Sequence, residues 1–373
     1  MKILVMNWQD ILNPLGGGAE VHLHEIFKRI VRRGHEVTLL CSRFQGSSRE
    51  ELIDGIRVVR CGSRTTFNFH VPFRYLLHLR RERFDVVVDD LNKIPFFTPL
   101  YVRRPLVGII HHLFGKTIFN EVSFLPALYV ALSERLALPV YKRIPIAVVS
   151  ESTRKEMLSH GYRDENLFLV HNCVDHLLYK LRDVQKPAVP VIGYLGRLKK
   201  YKSIEDLLLA FAIVLREYPQ IRLLIVGEGD ARENLERIAR ETDISANVDF
   251  LGYVSHDEKV QYLSQMKFVV NTSAKEGWGL TVMEANACGV PVIASDVPGL
   301  RDSVIHEKTG LLYEYGNVEE LAGKMMLLLR DDALCGRLSA EAVRWAGSFD
   351  WENSADAMLK MLNHAAQRAR PSG

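Results

Sequence analysis

Short apolar runs rich in Val, Ile and Leu alternate with amphipathic helical patterns along most of the 373-residue chain. That alternation is the mark of βαβ units feeding parallel sheets. In the first half the runs predict strands at 2–7, 36–41, 56–60, 85–89, 106–111, 146–149 and 167–171, with a helix over 19–33 that stops at Gly34. Residues 183–190 carry two prolines and no periodicity, so they read as a linker. A second series then predicts strands at 191–195, 221–226, 248–251, 268–271 and 292–295. A chain of this size with 47% hydrophobic residues exceeds what one core usually holds, and two doubly wound domains follow. In open parallel sheets ligands sit beyond the carboxyl ends of the strands, which directs attention to the loops after them.

Composition narrows the classes. The formal net charge of +3 is uneven, because residues 1–190 hold 27 Lys and Arg against 19 Asp and Glu. That excess is either a solvated surface or an attraction to an anionic acceptor or anionic membrane face. Nucleic acid is disfavoured, since the Arg-rich stretch at 80–83 includes Glu82 and no interleaved aromatics. The five cysteines are scattered without paired spacing, so neither a zinc site nor a disulfide framework is expected, and a reducing cytosol fits. The apolar start is cut by Asn7, Gln9 and Asp10 and reads as a buried strand rather than a signal peptide. The longest apolar stretch, 124–141, is interrupted at 133–135 and is too broken for a membrane span. It predicts a helix with Phe119, Val122, Phe124, Leu125, Leu128, Tyr129 and Leu132, edged by Lys116, Arg135, Lys142 and Arg143. That helix is either core or a membrane-surface contact.

Five strand ends could carry chemistry. Residues 275–285 follow a buried strand and open a helix, where backbone N–H groups and the helix dipole favour an anion and Gly279 allows close approach. Glu276 lies just before that helix and Glu284 about two turns inside, so one carboxylate can face a sugar and the other a ribose. Arg197 and Lys202, after the strand at 191–195, have the spacing to clamp a diphosphate. Gly227 and Gly229 close another strand and are either a plain turn or a place where a nucleotide approaches backbone. In the first half Gly16, Gly17 and Gly18 join the first strand to the first helix without the spaced dinucleotide fingerprint, which disfavours an NAD-binding dehydrogenase. His111 and His112 close the strand at 106–111, where a polar pair is expected to face a ligand. Asp89 and Asp90 are adjacent and alternate in direction, so they do not form a metal pair.

The stretch Glu276-Gly277-Trp278-Gly279-Leu280-Thr281-Val282-Met283-Glu284-Ala285 resembles the hallmark of the retaining glycosyltransferase family 4, two glutamates with seven residues between them in a Glu-Gly-x-Gly-Leu-x-x-x-Glu-Ala context. Arg197 and Lys202 match the family's cationic pair, with Ser203 where Gly often stands. Residues 170–175 resemble its Pro-Asn-Gly-Val-Asp turn with His171 and Cys173 substituted, and 349–353 resemble the start of its final helix.

The resemblance implies the GT-B fold, two Rossmann-like α/β domains facing a cleft. The expected parts are an acceptor-binding domain over 1–185, a donor-binding domain over 186–348, and a helix over 349–373 returning to the first. It also implies a metal-independent enzyme that moves a hexosyl group from a UDP- or GDP-hexose, with retention and no cofactor, to a glycan, lipid-linked or small-molecule acceptor. Such an enzyme would be cytoplasmic, with peripheral contact to an anionic membrane face. By that likeness Arg197, Lys202, Glu276 and His111 serve the reaction, and Gly17, Gly18, Gly227, Gly229, Gly277, Gly279, Leu280, Thr281 and Glu284 hold the donor, with Glu20 near the same loop. The competing readings are an epimerase or phosphorylase of the same fold and a non-catalytic nucleotide- or glycan-binding subunit.

Overall fold

A computed structural model describes residues 1–120 and 123–368. The chain divides into two compact units, Met1–Asn172 with the final helix, and Cys173–Asp350. Residues 173–185, ahead of the proline-bearing segment at which the sequence suggests a boundary, group with the second unit. There Tyr179 is buried and hydrogen-bonds His256.

The first unit is built on eight strands: β1 Lys2–Met6, β2 Glu36–Ser42, β3 Glu50–Ile53, β4 Ile56–Cys61, β5 Val86–Asp90, β6 Leu106–Ile110, β7 Ile146–Val148 and β8 Leu167–Leu169. Their order is β3-β4-β2-β1-β5-β6-β7-β8. All neighbours are parallel except β3 and β4, which pair antiparallel with Ile53 opposite Ile56. Asp54 and Gly55 take φ values of 48° and 82°, the left-handed pair that a two-residue hairpin turn needs. Helices α1 Gly18–Arg32, α2 Phe67–Leu77, α3 Phe124–Tyr141 and α4 Glu151–Ser159 fill the crossovers. Helix α1 ends before Gly34 at φ 84°, as the left-handed C-terminal position favours. The final helix, Trp351–Arg368, packs on α1 through Arg33, which reaches Glu352 at 2.6 Å and Asp356 at 2.5 Å. Val122, one of the apolar residues assigned with α3 from sequence, lies outside the described residues.

The second unit has six parallel strands: β9 Val191–Leu195, β10 Arg222–Val226, β11 Val248–Gly252, β12 Phe268–Asn271, β13 Val292–Ser295 and β14 Gly310–Tyr313. Its helices are α5 Ile204–Leu215, α6 Arg232–Glu241, α7 His256–Gln265, α8 Leu280–Ala287, α9 Leu300–Ser303, α10 Val318–Arg330 and α11 Asp332–Ala346. Ile192, Phe211, Leu223, Phe268, Ile293, Met325 and Leu338 join in one core between the sheet and its helices. No helix among the described residues is long and apolar enough to cross a membrane.

One buried acid of the first unit makes its stability pH-dependent. Asp89, at the end of β5, is fully buried and its Oδ2 accepts hydrogen bonds from Thr98 Oγ1 at 2.5 Å and from the Tyr141 hydroxyl. Burial outweighs those hydrogen bonds and pushes its carboxyl up to about 6. The folded state therefore holds this proton more tightly than the unfolded chain, so the stability it contributes is present below about pH 4 and is lost as pH rises to about 6. The difference in unfolding free energy between the wild type and Asp89→Asn is expected to shift against the wild type by roughly 1–3 kcal/mol over that window. Denaturant unfolding at pH 4.5 and 7.5 checks this, and a pH-independent difference would contradict it.

Candidate functional site

The strand order of the second unit, β11-β10-β9-β12-β13-β14, reverses between β9 and β12, which pair through Ile192 with Phe268 and Gly193 with Val269. At such a reversal the following loops diverge to opposite faces and leave a crevice beyond the strand ends. The loop after β9 carries Arg197 and Lys202, and the loop after β12 carries Glu276. Backbone and side-chain bonds join the two loops: Ala274 N donates to Tyr201 O at 2.8 Å and Thr272 Oγ1 donates to Lys202 O at 2.7 Å. Across this join Lys202 Nζ pairs with Glu276 Oε1, and the Ser273 hydroxyl lies 2.9 Å from the same oxygen. Burial opposes the Lys202 charge, but Glu276, Tyr201 and Tyr194 together hold its ammonium above the usual lysine range. Arg197 is exposed beside Tyr201, whose hydroxyl it meets at 3.3 Å.

Helix α8 begins immediately after this loop. Gly279 is its N-terminal cap at φ 81°, a conformation that disfavours any side chain. Leu280 and Thr281 open the first turn, where backbone N–H groups lack intrahelical partners. Gly277 and the Glu276 backbone are approached closely by Gly299, where an added Cβ would lie 2.2 Å from Glu276 O. Glu284, further along α8, receives Lys259 Nζ of α7 at 3.0 Å on both carboxylate oxygens. The Lys259 ammonium lies 5.4 Å from the Tyr179 ring centre. The Tyr179 hydroxyl bonds His256 Nδ1 at 2.7 Å and also interacts with Glu284; burial and that carboxylate both raise its pKa.

Gly227 and Gly229 serve close packing in this structure. A Cβ at Gly227 would lie 1.9 Å from Gly196 O, and one at Gly229 would lie 2.0 Å from Leu198 O. Leu198 N donates to Glu228 O at 2.8 Å, so the loop after β10 lies directly on the loop that carries Arg197.

The sheet of the first unit reverses between β1 and β5. The loop after β1 leads to Gly17 and Gly18 at the start of α1, where Gly17 N donates to Glu20 Oε2 at 2.7 Å. Glu20 is thereby a helix-capping side chain, and its other oxygen accepts from Asn92 Nδ2 at 3.2 Å. His111 follows β6, is buried, and places Nε2 3.2 Å from Asp90 Oδ1. Burial disfavours its charge, but Asp90 and Glu20 overcome that and raise its pKa. The His22 ring packs edge-on to His111 with centroids 5.2 Å apart. His112 packs against Phe114 instead.

Two family models account for most of the chain: Glycosyltransferase Family 4 matches residues 16–176, and Glycosyl transferases group 1 matches residues 181–345. The chain belongs to the family 4 glycosyltransferases. A D-inositol 3-phosphate glycosyltransferase of Rhodococcus erythropolis is 35% identical over 187 residues, 48% of this chain and 42% of that protein. The aligned part thus spans less than half of that relative's length. Among solved structures, sucrose-phosphate synthase from Thermosynechococcus elongatus superposes with a TM-score of 0.80 at 21% identity, covering 97% of this chain and 98% of that one. Anabaena HepE in complex with UDP and glucose gives 0.75 at 21% identity, covering 98% and 100%. The fold is GT-B.

In this family 4 chain the structure brings Arg197, Lys202, Glu276 and Gly279 to one reversal and sets Glu284 further along α8. Sequence reasoning missed Lys259, Gly299, Ser273 and Tyr179. Only Gly299 left a signal, the Pro298-Gly299 turn dipeptide before α9. The glycine packing yields a prediction. Gly227→Ala and Gly229→Ala each drive a methyl into backbone carbonyls, with an expected loss of about 3 kcal/mol or more and a fall in melting temperature of roughly 5–10 °C. Thermal unfolding of either variant with an unchanged midpoint would refute the packing role.

Proposed function

We propose that this protein is a retaining, metal-independent hexosyltransferase that uses a UDP- or GDP-hexose and adds the sugar to an acceptor hydroxyl in glycan synthesis. The observation that carries the reading is the meeting of Arg197, Lys202, Glu276 and the start of α8 at the β9–β12 reversal. A diphosphate is the ligand that such a set suits, because two cations and a helix N-terminus complement its charge. Glu276 and Glu284 then accept hydrogen bonds from hexose and ribose hydroxyls. Gly277, Leu280 and Thr281 offer backbone to the diphosphate, with Gly227 and Gly229 shaping the wall behind Arg197. HepE, the structural neighbour bound to UDP and glucose, supports the donor class.

In the step itself, the acceptor oxygen bonds to the sugar's anomeric carbon while the bond from that carbon to the phosphate oxygen breaks. The electron pair stays on the nucleoside diphosphate, whose oxygen takes the acceptor's proton on the same face, and the configuration is retained. Arg197 and Lys202 offset the charge that develops on the leaving group. In the first unit we assign substrate contacts to Gly17, Gly18 and His111, the last held by Asp90. The basic excess of residues 1–190 favours an anionic or lipid-linked glycan acceptor over a neutral small molecule, and cytoplasmic action with peripheral membrane contact.

A panel of nucleotide sugars tests this by thermal shift and slow hydrolysis, with and without chelator. One UDP- or GDP-hexose should stabilise the protein and release its nucleoside diphosphate at a rate that chelator leaves unchanged. Arg197→Ala should lower kcat/KM by about 10²–10³ with little change in the unliganded melting temperature, since Arg197 is exposed. Stabilisation by NAD, or by no nucleotide, would overturn the proposal. Tyr179→Phe should weaken the nucleoside diphosphate several-fold, about the value of one hydrogen bond, by loosening the Lys259–Glu284 pair. The loss should vanish for a 2′,3′-dideoxy nucleotide, and an equal loss for both would remove Glu284 from the ribose.

A further inference from the structure

We infer that the exposed faces of α2 and α3 form one surface on which the protein docks to an anionic lipid bilayer. The inference gives a defined location to the peripheral contact proposed above, and its readout is independent of donor turnover.

Helix α3 is turned inside out by the usual rule for a surface helix. Its buried positions are Ala127, Ser133, Ala137 and Tyr141, whereas Leu125, Leu128, Leu132 and Leu136 are exposed, Leu125 at 75%. These four leucines recur at three- and four-residue spacing and therefore share one stripe. Phe124 adds to it, also exposed. Helix α2 repeats the pattern: Phe67, Val71 and Tyr75 are buried, while Phe69, Phe73 and Leu77 are exposed four residues apart, Phe73 at 68%. Asn68 Nδ2 of α2 donates to the Tyr129 hydroxyl of α3 at 2.9 Å, which joins the two helices beside their apolar faces. Contiguous exposed Leu and Phe of this extent mark an interaction surface in a soluble chain.

Charge selects the occupant. The nearby acids are engaged elsewhere in the fold: Glu134 of α3 accepts the N–H groups of Phe114 and Gly115 at 2.6 and 3.0 Å, and Glu82 beyond α2 meets Lys2 and Arg57. The cations face solvent. Arg135 and Arg143 are exposed on and after α3, and Arg80, Arg81 and Arg83 are exposed after α2. An apolar stripe with exposed arginines on the same helix and beyond the helix ends fits the acyl–headgroup boundary of an anionic bilayer, where the leucines bury and the guanidiniums meet phosphate. With no described helix able to cross, the contact lies on the surface.

Co-sedimentation of the full chain with phosphatidylglycerol–phosphatidylcholine vesicles, against pure phosphatidylcholine vesicles, tests the surface. The chain should bind the anionic vesicles preferentially, and less as salt is raised. A triple Leu125→Ser, Leu128→Ser, Leu132→Ser variant should lose at least about tenfold in partition. Arg135→Glu with Arg143→Glu should abolish the lipid preference. Both variants should keep the wild-type melting temperature and donor hydrolysis, since these side chains are exposed and outside the donor site. Equal binding to both vesicles, or a triple variant that binds as the wild type does, would overturn the inference. So would a wild-type dimer in solution that the triple variant returns to monomer, because the stripe would then cover a second copy.

Discussion

In the second unit β9 and β12 lie side by side although two strands separate them in the chain. The chain reaches β12 only after winding β10 and β11 onto the other side of β9, and the loops leaving the pair must part. The floor of the resulting crevice is backbone packed on backbone. Gly196, Gly227 and Gly229 allow the loops after β9 and β10 to lie in contact, and Gly299 does the same behind Glu276. Main-chain groups have few alternative conformations once hydrogen-bonded, which holds this floor in place. The cations and carboxylates stand on it with their geometry already set.

Those charges are paired with one another. Lys202 meets Glu276 and Lys259 meets Glu284, each pair at low exposure. An unpartnered charge at such depth would cost several kcal/mol, and the pairs offset that cost. Under the proposed function they are also suited to exchange: a diphosphate would offer Lys202 a second anion, and sugar hydroxyls would offer Glu276 neutral donors in place of the ammonium. Donor binding would then redistribute hydrogen bonds instead of desolvating bare ions.

The strands at 191–195, 268–271 and 292–295 were legible because buried parallel strands are short, apolar and β-branched. Two strands were not read. β14 offers only Leu311, Leu312 and Tyr313 between polar neighbours, and β3 is an exposed edge strand, although the Asp54-Gly55 dipeptide that turns it into β4 was visible. Arg197, Lys202, Glu276 and Glu284 were found from their places after strand ends together with the likeness of their two segments to the family 4 motifs. Their partners were not, since Lys202 and Glu276 are 74 positions apart and Lys259 and Glu284 are 25 apart. Which side of α3 faces inward was equally hidden: periodicity reports an apolar stripe but not its direction, and only packing shows that Ala127 and Ala137 are inside.

The reversal in the first unit carries a different chemistry from the same topology. Adjacent residues of β5 point to opposite faces, so Asp89 goes to Thr98 and Tyr141 while Asp90 goes to His111. His22, packed against His111, has Nε2 3.0 Å from Val170 O, and a ring nitrogen facing a carbonyl must carry the hydrogen. Its Nδ1 is then a buried lone pair without a hydrogen-bond partner. Burial and the neighbouring His111 lower the pKa of His22, whereas Asp90 and Glu20 raise that of His111 against its own burial. Two imidazoles 5.2 Å apart cannot both be charged at little cost, and the carboxylates decide between them. Of the two rings it is His111 whose charged form the surroundings favour, because Asp90 and Glu20 face it while His22 has only burial and a second imidazole.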